Sequence, residues 1–230
     1  MRRKALILAT VGSAAFAAPA QAQTLTITPP LPCYLPGDQI TASGVGFTPG
    51  GPVEVQIDGT SLGQIGADPA GAFSAPIVLG GMKGVKGHAL TAIDQTNPAL
   101  MSTASYLGTT NQVVVKPKNA KAGTKRRLKG YGFIFGPRVW MHVRGGGYSS
   151  DKRIAKPSGA CGTFQTRKLI VPASAGSGKY RVQFDAKKKY SKKTRPRVVG
   201  TMTVSVTAAS AARGARVGAA AVSFWSRLPR

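Results

Sequence analysis

The chain has 230 residues, of which 29 are glycine and 16 are proline. Glycine and proline at this frequency leave little room for long helices, and they separate short apolar runs, which favours a folded protein built mostly of strands. There are 32 lysine and arginine residues against seven acidic ones, and the formal net charge is +25. With so few carboxylates, two histidines and two cysteines, the composition argues against histidine-rich metal sites, acidic calcium loops and carboxylate-rich active sites.

Residues 1–22 have the pattern of a secretory signal peptide. Three basic residues at positions 2–4 precede an apolar stretch at 5–18, and residues 20–22 form a small-x-small cleavage site. A membrane anchor is the alternative, but the apolar run is short and is interrupted by glycine and serine. We therefore expect cleavage before Gln23, no transmembrane segment, and a mature protein that is secreted or held in the cell envelope.

Two segments of the chain repeat one another. When the sequence is displaced by 86 positions, residues 37–59 align with residues 123–145 without a gap, and further along the offset becomes 91. The coincident pairs are Gly37/Gly123, Gly44/Gly130, Gly46/Gly132, Phe47/Phe133, Gly50/Gly136, Val53/Val139, Gly59/Gly145, Gly71/Gly162, Phe73/Phe164, Gly87/Gly178 and Asp94/Asp185. A period of about 90 residues suits a self-contained β-sandwich rather than a solenoid unit, which needs neighbours.

Alternating side chains predict matching strands in the two copies. Residues 53–58 and 139–144 both alternate an apolar residue with a polar or aromatic one, so that one set faces the core and the other faces outward. The predicted leading strands are Thr24–Thr28 and Gln112–Lys116, and the predicted closing strands are Ser102–Leu107 and Gly200–Val206. About seven strands per copy and a linker at about 108–111 follow from this pattern.

Four segments of the first copy carry the motifs of a known family. They are Pro36-Gly37-Asp38, Gly44-Val45-Gly46-Phe47-Thr48-Pro49-Gly50, Asp68-Pro69-Ala70-Gly71-Ala72-Phe73 and Gly87-His88-Ala89-Leu90-Thr91-Ala92-Ile93-Asp94. In these segments the chain resembles the bacterial immunoglobulin-like modules, of the TIG type, found in exported envelope proteins. The resemblance covers nearly all of 24–107 and, more loosely, 111–206. It implies that Phe47 and Phe133 close one end of each sandwich, and that the role is structural or binding rather than catalytic.

The predicted fold class is therefore all-β, with two tandem immunoglobulin-like sandwiches after a cleaved signal peptide. The predicted parts are a signal peptide at 1–22, a first sandwich at 23–108, a second, strongly basic sandwich at 109–206, and a tail rich in alanine and arginine at 207–230. On a helical wheel the apolar residues of the tail share one arc and its arginines share the opposite arc. This suits an interfacial helix in peripheral contact with a membrane, and disorder is the alternative.

Motifs that would carry chemistry are incomplete in this sequence. Residues 44–49 imitate a dinucleotide fingerprint but have proline where the third glycine should be, and residues 176–180 imitate a phosphate loop but have Tyr180 in place of the metal-binding serine or threonine. Asp94 and Asp185 each offer one carboxylate, which is too few for calcium, and a side chain capping its own turn explains them more simply. We expect no cofactor, no metal and no enzymatic activity, with a hydrolase a distant third hypothesis.

The two cysteines belong to different copies. An exported chain with two cysteines is biased toward one disulfide, and neither copy can close an internal bridge. A bond between Cys33 and Cys161 would require the short linker to fold the two domains against each other. The alternative is two buried, unpaired thiols.

The charge is divided unequally between the copies. Residues 23–110 contain two lysines against five acidic residues, whereas residues 111–206 contain 23 lysines and arginines against two aspartates. Because self-repulsion at this density costs stability, a polyanionic partner is the natural offset. The alternatives are a surface that only keeps the protein soluble, or a biased genome composition.

The candidate binding residues are an outward row and two lysine clusters in the second copy. They are Trp140, His142, Arg144, Lys187, Lys188, Lys189, Lys192 and Lys193. Aromatic rings beside cations can stack on sugars or bases while the charge holds a phosphate; burial of Trp140 under a neighbouring segment is the alternative. We expect a non-enzymatic envelope protein whose second domain contacts an anionic cell-wall polymer or an acidic polysaccharide, and the rival hypothesis is an extracellular nucleic-acid-binding protein.

Overall fold

The structure is a computed structural model, and it describes residues 22–81, 83–118, 120–206 and 220–227. The predicted signal peptide, apart from its last residue, lies outside the described residues. The described segments form strands and turns. None of them forms a helix that could cross a membrane.

Sixteen strands are described. They are β1 Thr24–Thr28, β2 Gln39–Val45, β3 Pro52–Ile57, β4 Thr60–Gly66, β5 Phe73–Val78, β6 Val85–Asp94, β7 Met101–Thr109, β8 Gln112–Lys116, β9 Ala120–Lys121, β10 Lys125–Tyr131, β11 Val139–Gly145, β12 Tyr148–Ala155, β13 Phe164–Leu169, β14 Gly178–Asp185, β15 Val198–Val206 and β16 Ala220–Arg227.

The first seven strands form an immunoglobulin-like β-sandwich. One sheet has the order β1-β2-β5 and the other β4-β3-β6-β7, and their strand pairs are antiparallel. Ile40 and Ala42 of one sheet and Leu90 and Ala92 of the other are fully buried between them. The alternation of apolar and polar residues therefore builds one core in this domain, as predicted.

The next seven long strands repeat the same architecture. One sheet has the order β8-β10-β13, and the other begins β12-β11-β14-β15, so that each strand occupies the position of its counterpart in the first domain. Leu128, Met141, Val182 and Phe184 are fully buried in a second, separate core. The predicted all-β fold with two tandem sandwiches is confirmed.

The repeated glycines and phenylalanines form the same contact in both domains. The rings of Phe47 and Phe73 lie 5.2 Å apart edge to face, and those of Phe133 and Phe164 lie 5.2 Å apart in the same way. A Cβ atom added at Gly130 would overlap the ring of Phe164, as one added at Gly44 would overlap that of Phe73. Glycine is therefore required where β10 passes beneath the ring.

Two short connections hold the domains together. Only Thr110 and Asn111 separate β7 from β8. Cys33 and Cys161, both buried, are joined by a disulfide with their Cα atoms 5.1 Å apart. The bond joins the β1–β2 connection of the first domain to the β12–β13 connection of the second, so that these two connections are held together.

The tail differs from the helix or disorder considered from the sequence. Residues 220–227 form β16, which pairs antiparallel with β15 from Val199↔Arg227 to Val206↔Ala220 and also pairs with β9. The unpaired edge of β15 offers backbone hydrogen bonds, and the valine and aromatic residues of this segment favour a strand. The interfacial helix is therefore wrong for residues 220–227, whereas membrane contact by the tail stays a prediction; the rest of the tail lies outside the described residues.

Candidate functional site

The candidate residues of β11 lie on the outer face of its sheet. Val139, Met141 and Val143 point into the core and are fully buried, so the other three side chains face the opposite side. On the neighbouring β14, the residue pairs are Trp140↔Asp185, His142↔Gln183 and Arg144↔Arg181. The alternation read from the sequence therefore assigns the correct face to each side chain.

A long loop covers this face. It runs from residue 186 to residue 197, between β14 and β15, and we call it the lysine loop because it contains five lysines. The ring of Tyr190 lies 5.8 Å from the ring of His142 and 4.5 Å from the guanidinium carbon of Arg144. The side-chain amide of Gln183 donates to the carbonyl of Ser191 at 2.9 Å. The loop is thus packed onto the sheet rather than projecting from it.

His142 is the centre of the contacts between the sheet and the loop. Its Nδ1 lies 2.8 Å from Asp151 Oδ1, and its Nε2 lies 3.3 Å from Asp185 Oδ1 and 3.1 Å from the carbonyl of Lys187. Because carboxylate and carbonyl oxygens accept hydrogen bonds, these three contacts favour the imidazolium form of the ring, in which both nitrogens donate. Burial alone would lower the pKa of His142, but the hydrogen bonds to Asp185 and Asp151 raise it above its ordinary value.

The position of His142 corrects the expectation of an exposed binding residue. Its side chain is 0% exposed, so it holds the loop rather than contacting a ligand. Arg144 is half-buried and donates to the carbonyls of Val143 and Ser150 and to Asp151 Oδ1 at 2.6 Å. Trp140 is also half-buried. The alternation of a strand shows which side a residue faces but not which segment later covers that side, and this is why the sequence pattern misassigned the histidine.

The lysines of the loop lie on its outer surface. Lys187, Lys188, Lys189, Lys192 and Lys193 are exposed. In the part of the chain that the structure describes, the ion pairs involve other cations, and none of these five lysines is paired with a carboxylate. These five residues therefore form an exposed group of positive charges on one loop, as the sequence predicted.

Arginines crowd at the end of the lysine loop. Burial and the nearby positive charges of Arg195 and Arg181 lower the pKa of Arg197. Arg181 also lies directly opposite Arg144 on the adjacent strand, where like charges repel. Positive charges are therefore close together at this end of the lysine loop, and an anion would relieve their repulsion.

The corresponding loop of the first domain is shorter and uncharged. Six residues, 95–100, connect β6 to β7, whereas twelve connect β14 to β15. The repeated aspartates cap these turns as predicted: Asp94 Oδ1 accepts from the amides of Thr96 and Asn97 at 2.8 and 3.0 Å, and Asp185 Oδ1 accepts from the amide of Lys187 at 2.8 Å. At the position of His142 the first domain has Gln56. The histidine network and the lysines thus belong to the second copy.

No protein family and no curated protein matches the chain. Among solved structures, it is similar to Salmonella alpha-2-macroglobulin reacted with methylamine, with 13% identity and a TM-score of 0.28 over 82% of this chain and 16% of that one. It is also similar to the human OSCAR ligand-binding domain, with 12% identity and a TM-score of 0.29 over 76% of this chain and 93% of that one. For red sea bream transglutaminase the identity is 11% and the TM-score 0.27, over 72% and 29% of the two chains.

The chain spans about a sixth of the length of the macroglobulin, at 16%. Similarities of this strength carry no argument about the function of the chain. The architecture of the two domains rests on their strand order and on their two separate cores.

Proposed function

We propose that the chain is an exported, non-enzymatic structural or binding protein of the cell envelope or extracellular space, and that its second sandwich contacts a polyanion through the lysine loop. The first sandwich and the disulfide would fix the orientation of that domain. The partners that suit this chemistry are anionic cell-wall polymers and acidic polysaccharides, which carry regularly spaced negative charges.

The observation that carries the proposal is the difference between two loops at the same place in duplicate domains. Residues 186–197 contain five lysines and two arginines, and residues 95–100 contain no charged residue. A need for solubility or a biased genome composition would act on both domains alike. Because the two folds are the same, the fold itself does not require the charge either.

Anchoring supports the proposal in a second way. His142, Gln183 and Tyr190 hold the backbone of the lysine loop against the sheet while the lysine side chains remain exposed. A loop that is already ordered loses less conformational entropy when it binds, so more of the contact energy appears as affinity.

Nucleic acid is the second candidate partner, and the exposure of Trp140 favours it. Trp140 lies opposite Asp185, where the lysine loop begins, and its ring is only half-buried. An accessible aromatic ring beside lysines can stack on a base, which a wall polymer lacks. Replacing Trp140 by alanine would then weaken binding of single-stranded DNA at every salt concentration and leave binding of a wall polymer nearly unchanged.

The test is salt-dependent release of the purified chain from isolated cell wall. Replacing the five loop lysines by glutamine should lower the slope of log affinity against log salt by about one for each phosphate that the loop no longer binds. A control variant removes the same charge from scattered exposed lysines, Lys83, Lys118, Lys121, Lys152 and Lys179. Equal slopes for the two variants, or binding that salt does not release, would contradict a role for the lysine loop.

A further inference from the structure

A second cationic surface lies on the opposite sheet of the second domain. It is formed by β8, β10 and β13, and we call it the β10 face. Five exposed cations point outward from it, namely Lys116, Lys125, Arg127, Lys129 and Arg167. Three of them are alternate residues of 125–129, and none of the five belongs to the outward row of β11 or to the lysine loop.

The strand register puts three of these cations in one row. Arg127 pairs with Lys116 on one side and with Arg167 on the other. Neighbouring strands lie about 4.8 Å apart, and alternate residues along β10 repeat at about 6.8 Å, so the face is a lattice of positive charges. Like charges directly opposite one another destabilise a sheet.

Few local contacts offset this repulsion. Arg127 donates to the side-chain oxygen of Gln165 at 2.8 Å, and the ammonium of Lys129 lies 5.2 Å from the centre of the Tyr131 ring. The only two carboxylates of residues 111–206, those of Asp151 and Asp185, are on the other sheet and are bonded to His142. The β10 face therefore contains no carboxylate of its own.

The first domain has the same face without the charge. The row that corresponds to Lys116, Arg127 and Arg167 is Thr28, Thr41 and Pro76, and the register pairs these residues in the same way. Basic residues on edge strands can prevent edge-to-edge pairing, but the four edge strands of the first domain, β1, β4, β5 and β7, contain none. Neither folding nor protection of the edges accounts for the cations of the second copy.

The row of charges continues around the edge of the sheet into a groove. Beyond β13, a groove of about 560 Å³ is lined by Arg138, Arg153, Lys156 and Lys168 together with the apolar side chains of Pro137 and Ile154. Lys168 follows Arg167 on β13 and connects the groove to the row. A flexible chain could follow this curved path, whereas a flat membrane surface could contact only the face.

We propose that the β10 face and this groove together bind a flexible, linear phosphate polymer. Four arginines, at positions 127, 138, 153 and 167, lie along the path, and a guanidinium donates two parallel hydrogen bonds to a phosphate. The inference rests on the proposed polyanion binding by the second domain, but it places a separate site on the sheet opposite the lysine loop.

The test uses the full chain, with inorganic polyphosphate as the probe, and a variant that copies the first domain. Lys116→Thr, Arg127→Thr and Lys129→Ser give the face the residues of its duplicate, and threonine is well suited to strands. The matched variant removes the same charge from the lysine loop, as Lys188→Gln, Lys189→Gln and Lys193→Gln. We expect the face variant to lose about tenfold in affinity at low salt and about three in salt slope, and the loop variant to lose less.

A second pair of measurements tests the groove. Arg153→Gln, Lys156→Gln and Lys168→Gln should weaken binding of long polyphosphate and leave binding of a triphosphate unchanged, since only a long chain reaches both parts. If the face variant binds like the wild type while the loop variant does not, the inference is wrong and the proposed function stands. If neither variant loses affinity, both are wrong.

Three further probes identify the ligand chemistry. Oligo-dT with a similar number of phosphates should bind with an affinity like that of polyphosphate, because the site contacts phosphate and not bases. Equal binding of polygalacturonate, which carries carboxylates, would overturn the preference for phosphate. If vesicles of anionic phospholipid competed fully with polyphosphate for the face, the inference that the ligand is a linear polymer would be wrong.

Discussion

His142 shows how one side chain can decide what a surface does. Its ring lies within hydrogen-bond distance of Asp151, Asp185 and the carbonyl of Lys187, so that both carboxylates have a partner within the domain. Because both of these acids already have partners, the five lysines of the lysine loop have no carboxylate partner among the described residues. By binding the two aspartates, the buried His142 thereby keeps them from neutralising the lysines on the surface of the loop.

The stability of this network should depend on pH in a defined direction. The folded pKa of His142 is raised above its unfolded value, so its contribution is complete below about pH 6.5 and is lost as the pH rises through the folded pKa. The pKa values of Asp151 and Asp185 are lowered by hydrogen bonds against the opposing effect of burial, so their contribution is lost as the pH falls through those values. The network therefore contributes most to stability at pH values above the pKa values of the two aspartates and below that of His142.

Replacement of His142 by glutamine, the residue of the first domain, tests this dependence. Thermal unfolding followed by circular dichroism from pH 5 to pH 9 should show a wild-type advantage of several degrees at low pH that shrinks as the pH rises. A difference that is constant across this range would mean that the ring carries no charge.

The glycine beneath each phenylalanine ring should be sensitive to the addition of a single methyl group. Gly130→Ala would force Phe164 to move, and we expect a loss of about 1–3 kcal/mol in the free energy of unfolding in urea. Gly87→Ala is the control, because a Cβ there meets no atom within 4 Å, and it should be neutral or slightly stabilising. Similar losses at both positions would show that the ring contact is not responsible.

At the scale of elements, the strands could be predicted from the sequence, but the segments that pack over or beside them could not. Thr24–Thr28 and Gln112–Lys116 have the predicted bounds, because a period of two identifies a strand with one buried face. Packing of residues 186–197 over β11 depends on tertiary contacts, as does the pairing of β16 with β15. The sequence shows that alternate residues of 125–129 are cations. Only the strand register shows that Lys116 and Arg167 lie on either side of Arg127 and form a row with it.

The lysine loop should be released when its aromatic anchor is removed. Tyr190→Ala removes the ring that packs on His142 and Arg144, so trypsin should cleave within 186–197 roughly tenfold faster, since cleavage requires local opening. Peptide mass mapping over time measures the rate. Cleavage after Lys83 serves as an internal control and should not change. An unchanged rate in the loop would mean that the backbone hydrogen bonds alone hold it.

At the scale of the whole molecule, the disulfide gives the two domains a second covalent connection besides the linker. It spans 128 residues of sequence, and Cys33 is fully buried. Replacing both cysteines by serine should cost about 5 kcal/mol of stability in the chain-entropy account, measured by urea unfolding, and should broaden the shape distribution in X-ray scattering. The double variant leaves no free thiol. Free alkylation of both cysteines in the native protein would contradict the bond.

The same disulfide determines how the protein would respond to mechanical load. A force applied between Gln23 and the C-terminus passes from Cys33 directly to Cys161, so residues 34–160 carry no tension. The first sandwich, apart from β1, lies inside this shielded ring and cannot be unravelled by pulling. In a single-molecule stretching experiment, reduction should add roughly 450 Å of contour length at about 3.5 Å per residue. In a protein held between a wall and a moving partner, strands β2–β7 of the first domain would in this way bear no load while the disulfide is intact.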